Sequence, residues 1–367
     1  MKTGTANLPL HGGKCPLWLF KRMKKLAGII SKIIIEEHGT EEYLKRLSDP
    51  FFFQSFVCTT GMDWHSSGTT TTLCGAIKES LNTLNLGLKV AGGKGKASRK
   101  TLIEIEKYGE DLNLTDNKIK RLIYSSRLSA KVDNSLIQDE FQLYHHCFIL
   151  SDKGKWAVIQ QGKSDRYARR YHWLSDNLTS FVEEPHTAIC SDKKKILALD
   201  MTAKQSREAR KASVDLIKEN PVHLNKYFKS KQLSLTDFFS DKRHLNMQKD
   251  HYIKDMDKIN KITLKQAYEF QPANYEELLS LRGVGPKTIR ALALIAELIY
   301  GTKASWCDPA KYSFAHGGKD GVPYPADKKL IDNNIHFLMK VIRDSELDRK
   351  DRLIVLRQLA KKIRIKI

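Results

Sequence analysis

The sequence has few cysteines and no long apolar run, and each shortage removes a class of protein. Its 367 residues hold six cysteines, at positions 15, 58, 74, 147, 190 and 307. They form no C-x-x-C pair and no metal-finger spacing, which predicts reduced, mostly structural thiols in a reducing compartment. The longest unbroken apolar run, 291–296, continues after Glu297 only as far as Tyr300. That is far short of the roughly 20 residues that span a bilayer. The opening MKTGTANLPL lacks the apolar stretch and small-residue cleavage site of a secretory signal. These absences predict a cytoplasmic protein without membrane segments.

Acidic residues are also scarce: 42 Asp+Glu stand against 63 Lys+Arg, a net charge of +21. An apolar share of 41 %, recurring in periodic blocks, predicts a folded core rather than a disordered chain. A basic surplus this large favours polyanionic partners, meaning nucleic acid or an anionic membrane face. The surplus is spread along the chain. Residues 241–367 carry 25 basic and 16 acidic side chains, and the first 240 carry the other 38 and 26. A distributed surplus fits a folded body with a broad basic face rather than a disposable tail.

The periodicities predict an α+β protein. Residues 17–37 repeat apolar side chains at helical spacing, 48–72 read as irregular, and 73–84 read as helical again. Residues 86–91 read as a short strand ending in Gly92-Gly93-Lys94-Gly95. Residues 141–150 and 156–161, separated by Ser151-Asp-Lys-Gly-Lys155, read as a β-hairpin. After a solvated link at 192–202 the pattern becomes helical, over 203–218, 262–270, 275–281, 286–300, 328–342 and 348–363. Residues 238–249 are the most polar connection. Two domains are expected, a mixed α/β unit over 1–195 and an all-α unit over 203–367.

The most informative segment is 276–300, EELLSLRGVGPKTIRALALIAELIY. Gly283 and Gly285 suit a tight turn, and Pro286 suits the first position of a helix, where its missing N–H costs nothing. The pattern is that of a helix-hairpin-helix. Its second helix would present backbone N–H groups and the positive end of its dipole to a phosphate. Arg282, Gly283, Val284, Gly285, Thr288 and Arg290 are the expected DNA-contacting residues.

This segment resembles the L-P-G-V-G-x-K-x hairpin of the helix-hairpin-helix base-excision DNA glycosylases over about residues 270–310. The resemblance implies that Lys287 is a catalytic nucleophile and that Asp308 assists it. Trp306-Cys307-Asp308-Pro309 stands 21 residues after Lys287 and lacks the family's histidine. No four-cysteine cluster follows, so the iron–sulfur loop of some members is absent. A lysine amine attacks an anomeric carbon only when unprotonated, and a helix N-terminus with Arg282 and Arg290 nearby disfavours the ammonium form. The target nucleotide would be flipped out of the duplex. A purely phosphate-holding Lys287 is the alternative.

A wider resemblance covers the whole chain. GTANLPLHGGK (4–14), LYHH (143–146), WAVIQQG (156–162), ARRYHW (168–173) and FAHGGKDG (314–321) are similar to the prokaryotic domain-of-unknown-function family 763. This implies a prokaryotic intracellular protein and no particular chemistry.

Other constellations are less specific. His-Gly-Gly-Lys occurs at 11–14 and 316–319, giving Lys14, His316 and Lys319 as possible phosphate or sugar contacts or plain turn residues. Asp63, Trp64 and His65 lie between glycines and could serve a flipped base or simply plug the core. His145 and His146 alternate faces of the hairpin. With His172, Asp139 and His65 they could form a metal site for a nuclease, and Gln161-Gly-Lys163 faintly resembles the Q-x-K variant of restriction-type nucleases. Arg169 and Arg170, interleaved with Tyr167, Tyr171 and Trp173, have the composition of a nucleic-acid groove or of an amphipathic helix. The expected function is therefore DNA repair by a glycosylase/lyase acting on damaged bases in duplex DNA. A metal-dependent nuclease and a non-catalytic DNA-binding protein are the alternatives. No cofactor and no resident metal are expected.

Overall fold

The computed structural model describes residues 15, 17–60, 68–164, 167–191, 194–219 and 261–310. Lys14, Asp63, Trp64, His65, His316 and Lys319, the 238–249 connection and the helices expected at 328–342 and 348–363 lie outside them. The described chain mixes helices with an antiparallel sheet, in agreement with the α+β reading.

Three helices come first: α1 (Leu17–Ser48), α2 (Pro50–Thr59) and α3 (Gly68–Leu81). α1 bends at Gly39, whose φ of 84° is left-handed. The irregular stretch expected over 48–72 is instead largely helical. Asp49 Oδ1 accepts from the N–H groups of Phe51 (2.7 Å) and Phe52 (3.2 Å), and Pro50 occupies the first helical position. A local cap thus outweighs the β-preferring composition of FFFQSFVC.

Strand β1 (Leu88–Lys94) leads through a 3-10 turn at Gly95–Lys100 into α4 (Thr101–Asp111) and α5 (Asp116–Ser135). A short β2 (Ile137–Gln138) is followed by the expected hairpin, β3 (Gln142–Ser151) and β4 (Trp156–Lys163), then β5 (Ala168–Leu174) and β6 (Ala188–Cys190). The order β1-β3-β4-β5-β6 is antiparallel throughout. Residues 168–173 are therefore a central strand and not an amphipathic helix.

The sheet is buried on both faces. Cys147, Ile149, Ala157, Ile159 and Leu174 pack with α1–α3, while Phe148, Leu150, Val158, Tyr171 and Trp173 pack with α4 and α5. Because strand side chains alternate, His145, Gln161, Arg170 and His172 belong to the α1–α3 face. His146, Gln160 and Arg169 belong to the other.

A second small sheet pairs β2 with β7 (Leu199–Asp200). It is followed by α6 (Arg207–Lys218), α7 (Lys261–Phe270), α8 (Tyr275–Ser280) and α9 (Pro286–Tyr300). Ser305 bridges to Asp200, returning the chain to the sheet. One hydrophobic cluster joins Ala91, Val158 and Trp173 to Leu216, Leu292 and Ala310, so packing continues across residues 195–203.

Candidate functional site

The turn between α8 and α9 is held from three sides. Asn274 caps α8 by accepting from Glu277 N–H (2.9 Å), and the Glu277 carboxylate accepts from the N–H of the preceding Ala273 (2.8 Å). Lys131, on α5, donates to the Leu281 carbonyl (2.5 Å), and Gln138 donates to the Pro286 carbonyl (2.7 Å). Gly283 has φ 89°, and a β-carbon there would stand 2.4 Å from the Thr263 hydroxyl of α7. Gly283 is therefore required by the fold.

Gly285 is different. Its φ of −139° is extended backbone open to any residue, and an added β-carbon would meet nothing within 4 Å. As the N-cap of α9 it supplies no side-chain acceptor, and Pro286 has no N–H. The next two N–H groups, of Lys287 and Thr288, precede the first possible intrahelical acceptors.

Around this turn Arg282 and Lys287 are exposed. Val284 and Thr288 are buried and serve packing. The Arg290 guanidinium lies 5.3 Å from the centre of the Trp306 ring, a cation–π contact that directs it toward the 305–310 segment. Burial, with Arg127 next in importance, pushes the Lys131 amine down to about 8. Lys131 and Gln138 carry no local motif, and only the approach of α5 and β2 to the turn gives them a role.

The Asp308 side chain is 2 % exposed and is held by the strand residue Arg169. Its carboxylate accepts from Arg169 Nη1 (2.9 Å) and Nη2 (2.6 Å), from Lys195 N–H (2.6 Å) and from Ala310 N–H (2.9 Å). Arg169 Nη1 also reaches Asp139 (2.6 Å), whose other contacts include the Tyr171 hydroxyl (3.0 Å). Burial pushes the Asp139 carboxyl up, against the pull of Arg169. Lys287 is not a partner of Asp308.

The groove expected around Arg169 and Arg170 is corrected by the fold: both side chains are fully buried, on opposite faces of the central strand. A guanidinium inside a core must be paired or packed. Arg169 has its two carboxylates and the Phe141 ring, 4.5 Å away. Arg170 stacks on Phe53 (4.6 Å) and donates to Gln54 (3.1 Å) and Thr70 (3.3 Å).

The residues expected to share a nuclease metal are likewise separated. Asp139 contacts Arg169 and Tyr171 on the α5 face. His145 and His172 belong to the other face, and His172 Nδ1 bonds the Leu47 carbonyl (3.2 Å). Gln161 donates to the Tyr144 hydroxyl.

On the α5 face a polar chain runs through the core. His146 bonds Ser126 (2.8 Å) and Gln160 (2.9 Å), and Gln160 donates to Asp133 (2.6 Å). Asp133 also accepts from Trp173 (3.1 Å) and meets His186 (2.5 Å). Burial drives His146 down to about 4 and Asp133 up from the usual carboxylate range. Ser126, His146 and Asp133 form a nucleophile–base connectivity, but all are sealed, which makes the chain a structural network.

The fold and turn define a mixed helix-and-sheet protein in which the turn between α8 and α9 exposes Arg282 and Lys287. Residues 4–326 match the family described as protein of unknown function DUF763, and the chain belongs to that family. No curated protein and no solved structure matches it. Among the described residues no helix is long and apolar enough to cross a membrane.

Proposed function

We propose that this protein binds duplex DNA, gripping a backbone phosphate at the α8–α9 turn in the manner of a helix-hairpin-helix. The observation that carries the reading is Gly285. Neither its backbone angles nor its neighbours ask for glycine, and it stands where a phosphate would approach the first free N–H groups of a 15-residue helix. Arg282 and Lys287 add exposed positive charge on either side, and the +21 surplus supplies the nonspecific attraction.

The reaction we assign to this position is that of a base-excision glycosylase/lyase. Lys287 Nζ bonds the sugar C1′ as the glycosidic bond breaks and the base leaves. Loss of an Nζ proton and opening of the sugar ring give a Schiff base, and β-elimination then expels the 3′ phosphate. Asp308 is left out of this scheme because Arg169 and Lys195 hold it. The reading also covers a binding-only protein, in which Lys287 contacts phosphate and no adduct forms.

Duplex binding at graded salt and borohydride trapping on abasic and lesion-bearing duplexes test the two levels separately. Log affinity should fall linearly with log salt, and Lys287→Ala should reduce that slope by about one. A trapped adduct that Lys287→Ala abolishes establishes the lyase. Binding without any adduct removes the lyase and keeps the grip, and salt-insensitive or absent binding removes both.

A further inference from the structure

We propose that Cys74, His145 and Cys147 bind one thiophilic d10 metal ion, zinc or copper(I), which staples α3 to the central sheet. His145 and Cys147 are two apart on β3 and so share its α1–α3 face, where α3 brings Cys74 against them. One donor atom from each lies within 4.8 Å of the other two, and all three residues are buried. The site is distinct from the α8–α9 turn and does not depend on the DNA-binding reading.

The second observation is the histidine itself. His145 is 1 % exposed, and neither ring nitrogen has a hydrogen-bond partner. A buried imidazole ordinarily satisfies at least one nitrogen, as His146 does with two bonds on the opposite face. A metal–nitrogen bond would satisfy one of the pair that the protein leaves open.

The donor set selects the ion. Two thiolates and an imidazole are soft to borderline ligands, which favour zinc and copper(I) over magnesium or calcium, whose sites are built from oxygen. Binding releases two protons, one from each thiol, as two metal–sulfur bonds and one metal–nitrogen bond form, with no change of oxidation state.

The spacing hid this site. The cysteines are 73 positions apart in sequence and belong to no finger motif, so they read as isolated structural thiols.

The full chain, produced under reducing conditions with zinc or copper supplied in separate cultures and then dialysed, should carry about one equivalent of one metal by elemental analysis. X-ray absorption fine structure on that protein should show two sulfur ligands and one nitrogen ligand. Removing the metal with a zinc- or copper(I)-selective chelator should lower the melting temperature. Cys74→Ser and Cys147→Ser should each reduce metal content about tenfold or more, whereas Cys307→Ser, at an exposed thiol, should retain it. Protein free of both metals, a shell of oxygen and nitrogen only, a Cys74–Cys147 disulfide in place of metal, or full retention in the Cys74→Ser/Cys147→Ser double variant would each overturn the assignment. Fine structure on the unmodified protein decides the matter even if the variants fail to fold.

Discussion

Replacing Asp308 by asparagine separates the two roles open to that residue. As a carboxylate it accepts four hydrogen bonds, two from Arg169 and one each from the backbones of Lys195 and Ala310. Asparagine keeps the shape but offers one oxygen instead of two, and turns an NH2 group toward the donors. Unsatisfied buried donors cost about 1–3 kcal/mol each. Breaking a buried ion pair outright costs about 3–5 kcal/mol. Asp139 remains on Arg169 at 2.6 Å, so the guanidinium keeps one counter-charge. A loss of about 3 kcal/mol is therefore expected, a large part of the 5–15 kcal/mol that ordinarily holds a domain together. Urea unfolding followed by circular dichroism should show a lower midpoint at an unchanged m-value. Asp139→Asn combined with Asp308→Asn should cost more than the two single changes added, because only the double variant leaves Arg169 bare. A change below about 0.5 kcal/mol for Asp308→Asn, accompanied by loss of lyase turnover, would refute the structural role and restore Asp308 as the assistant of Lys287.

The two turn glycines should respond in opposite ways. Gly283→Ala forces a side chain into left-handed backbone and against Thr263, and should cost about 1–3 kcal/mol in the same unfolding assay. Gly285→Ala should leave stability within about 0.5 kcal/mol while weakening duplex binding; unchanged binding would remove the phosphate grip from this turn. Lys131 tests the clamp on the turn. Its amine is held near 8 when folded and returns toward 10.5 when unfolded, so between those values the unfolded chain binds the extra proton and stability rises with pH. Below about pH 8 the penalty is fully present. Discounted for its partial exposure, it amounts to about 1 kcal/mol. Lys131→Met should flatten the stability curve between pH 8 and 10.5, and a curve parallel to the unmodified protein's would show that the amine is not desolvated there.

What was legible in the sequence is what depends on neighbours along the chain. The β3–β4 hairpin shows itself through β-formers around a polar turn, where Gly154 takes φ 80°. The α8–α9 turn shows itself through Gly-x-Gly-Pro between two apolar helices. α2 is not legible in a stretch rich in aromatics, Gly and Thr that reads as irregular, although Asp49-Pro50 carries the cap signal that decides it. The arginines were misplaced for a different reason. Their partners lie far away in sequence: Asp308 is 139 positions from Arg169, and Gln54 is 116 from Arg170. Charge in a sequence reads as surface until the fold shows a strand covered on both sides.

The two faces of the sheet differ in how completely their polar groups are satisfied, and that difference carries functional meaning. On the α5 face the chain Ser126–His146–Gln160–Asp133 ends on Trp173 and His186, each link within hydrogen-bond distance. Such a network fixes one packing of helix on sheet and offers nothing to a ligand. On the α1–α3 face His145 has two open nitrogens, and His172 Nε2 has no partner. Burying a polar group unpaired costs roughly 1–3 kcal/mol by mutational measure. A fold that completes the Ser126–His146–Gln160–Asp133 chain link by link has the means to fill the other face with apolar residues or hydroxyls. Keeping imidazoles and thiols there at that cost is consistent with a face completed by something other than its own described side chains. The metal assignment accounts for His145 on this ground, and it makes the α1–α3 face, rather than the Ser126–His146 pair, the place where inorganic chemistry belongs.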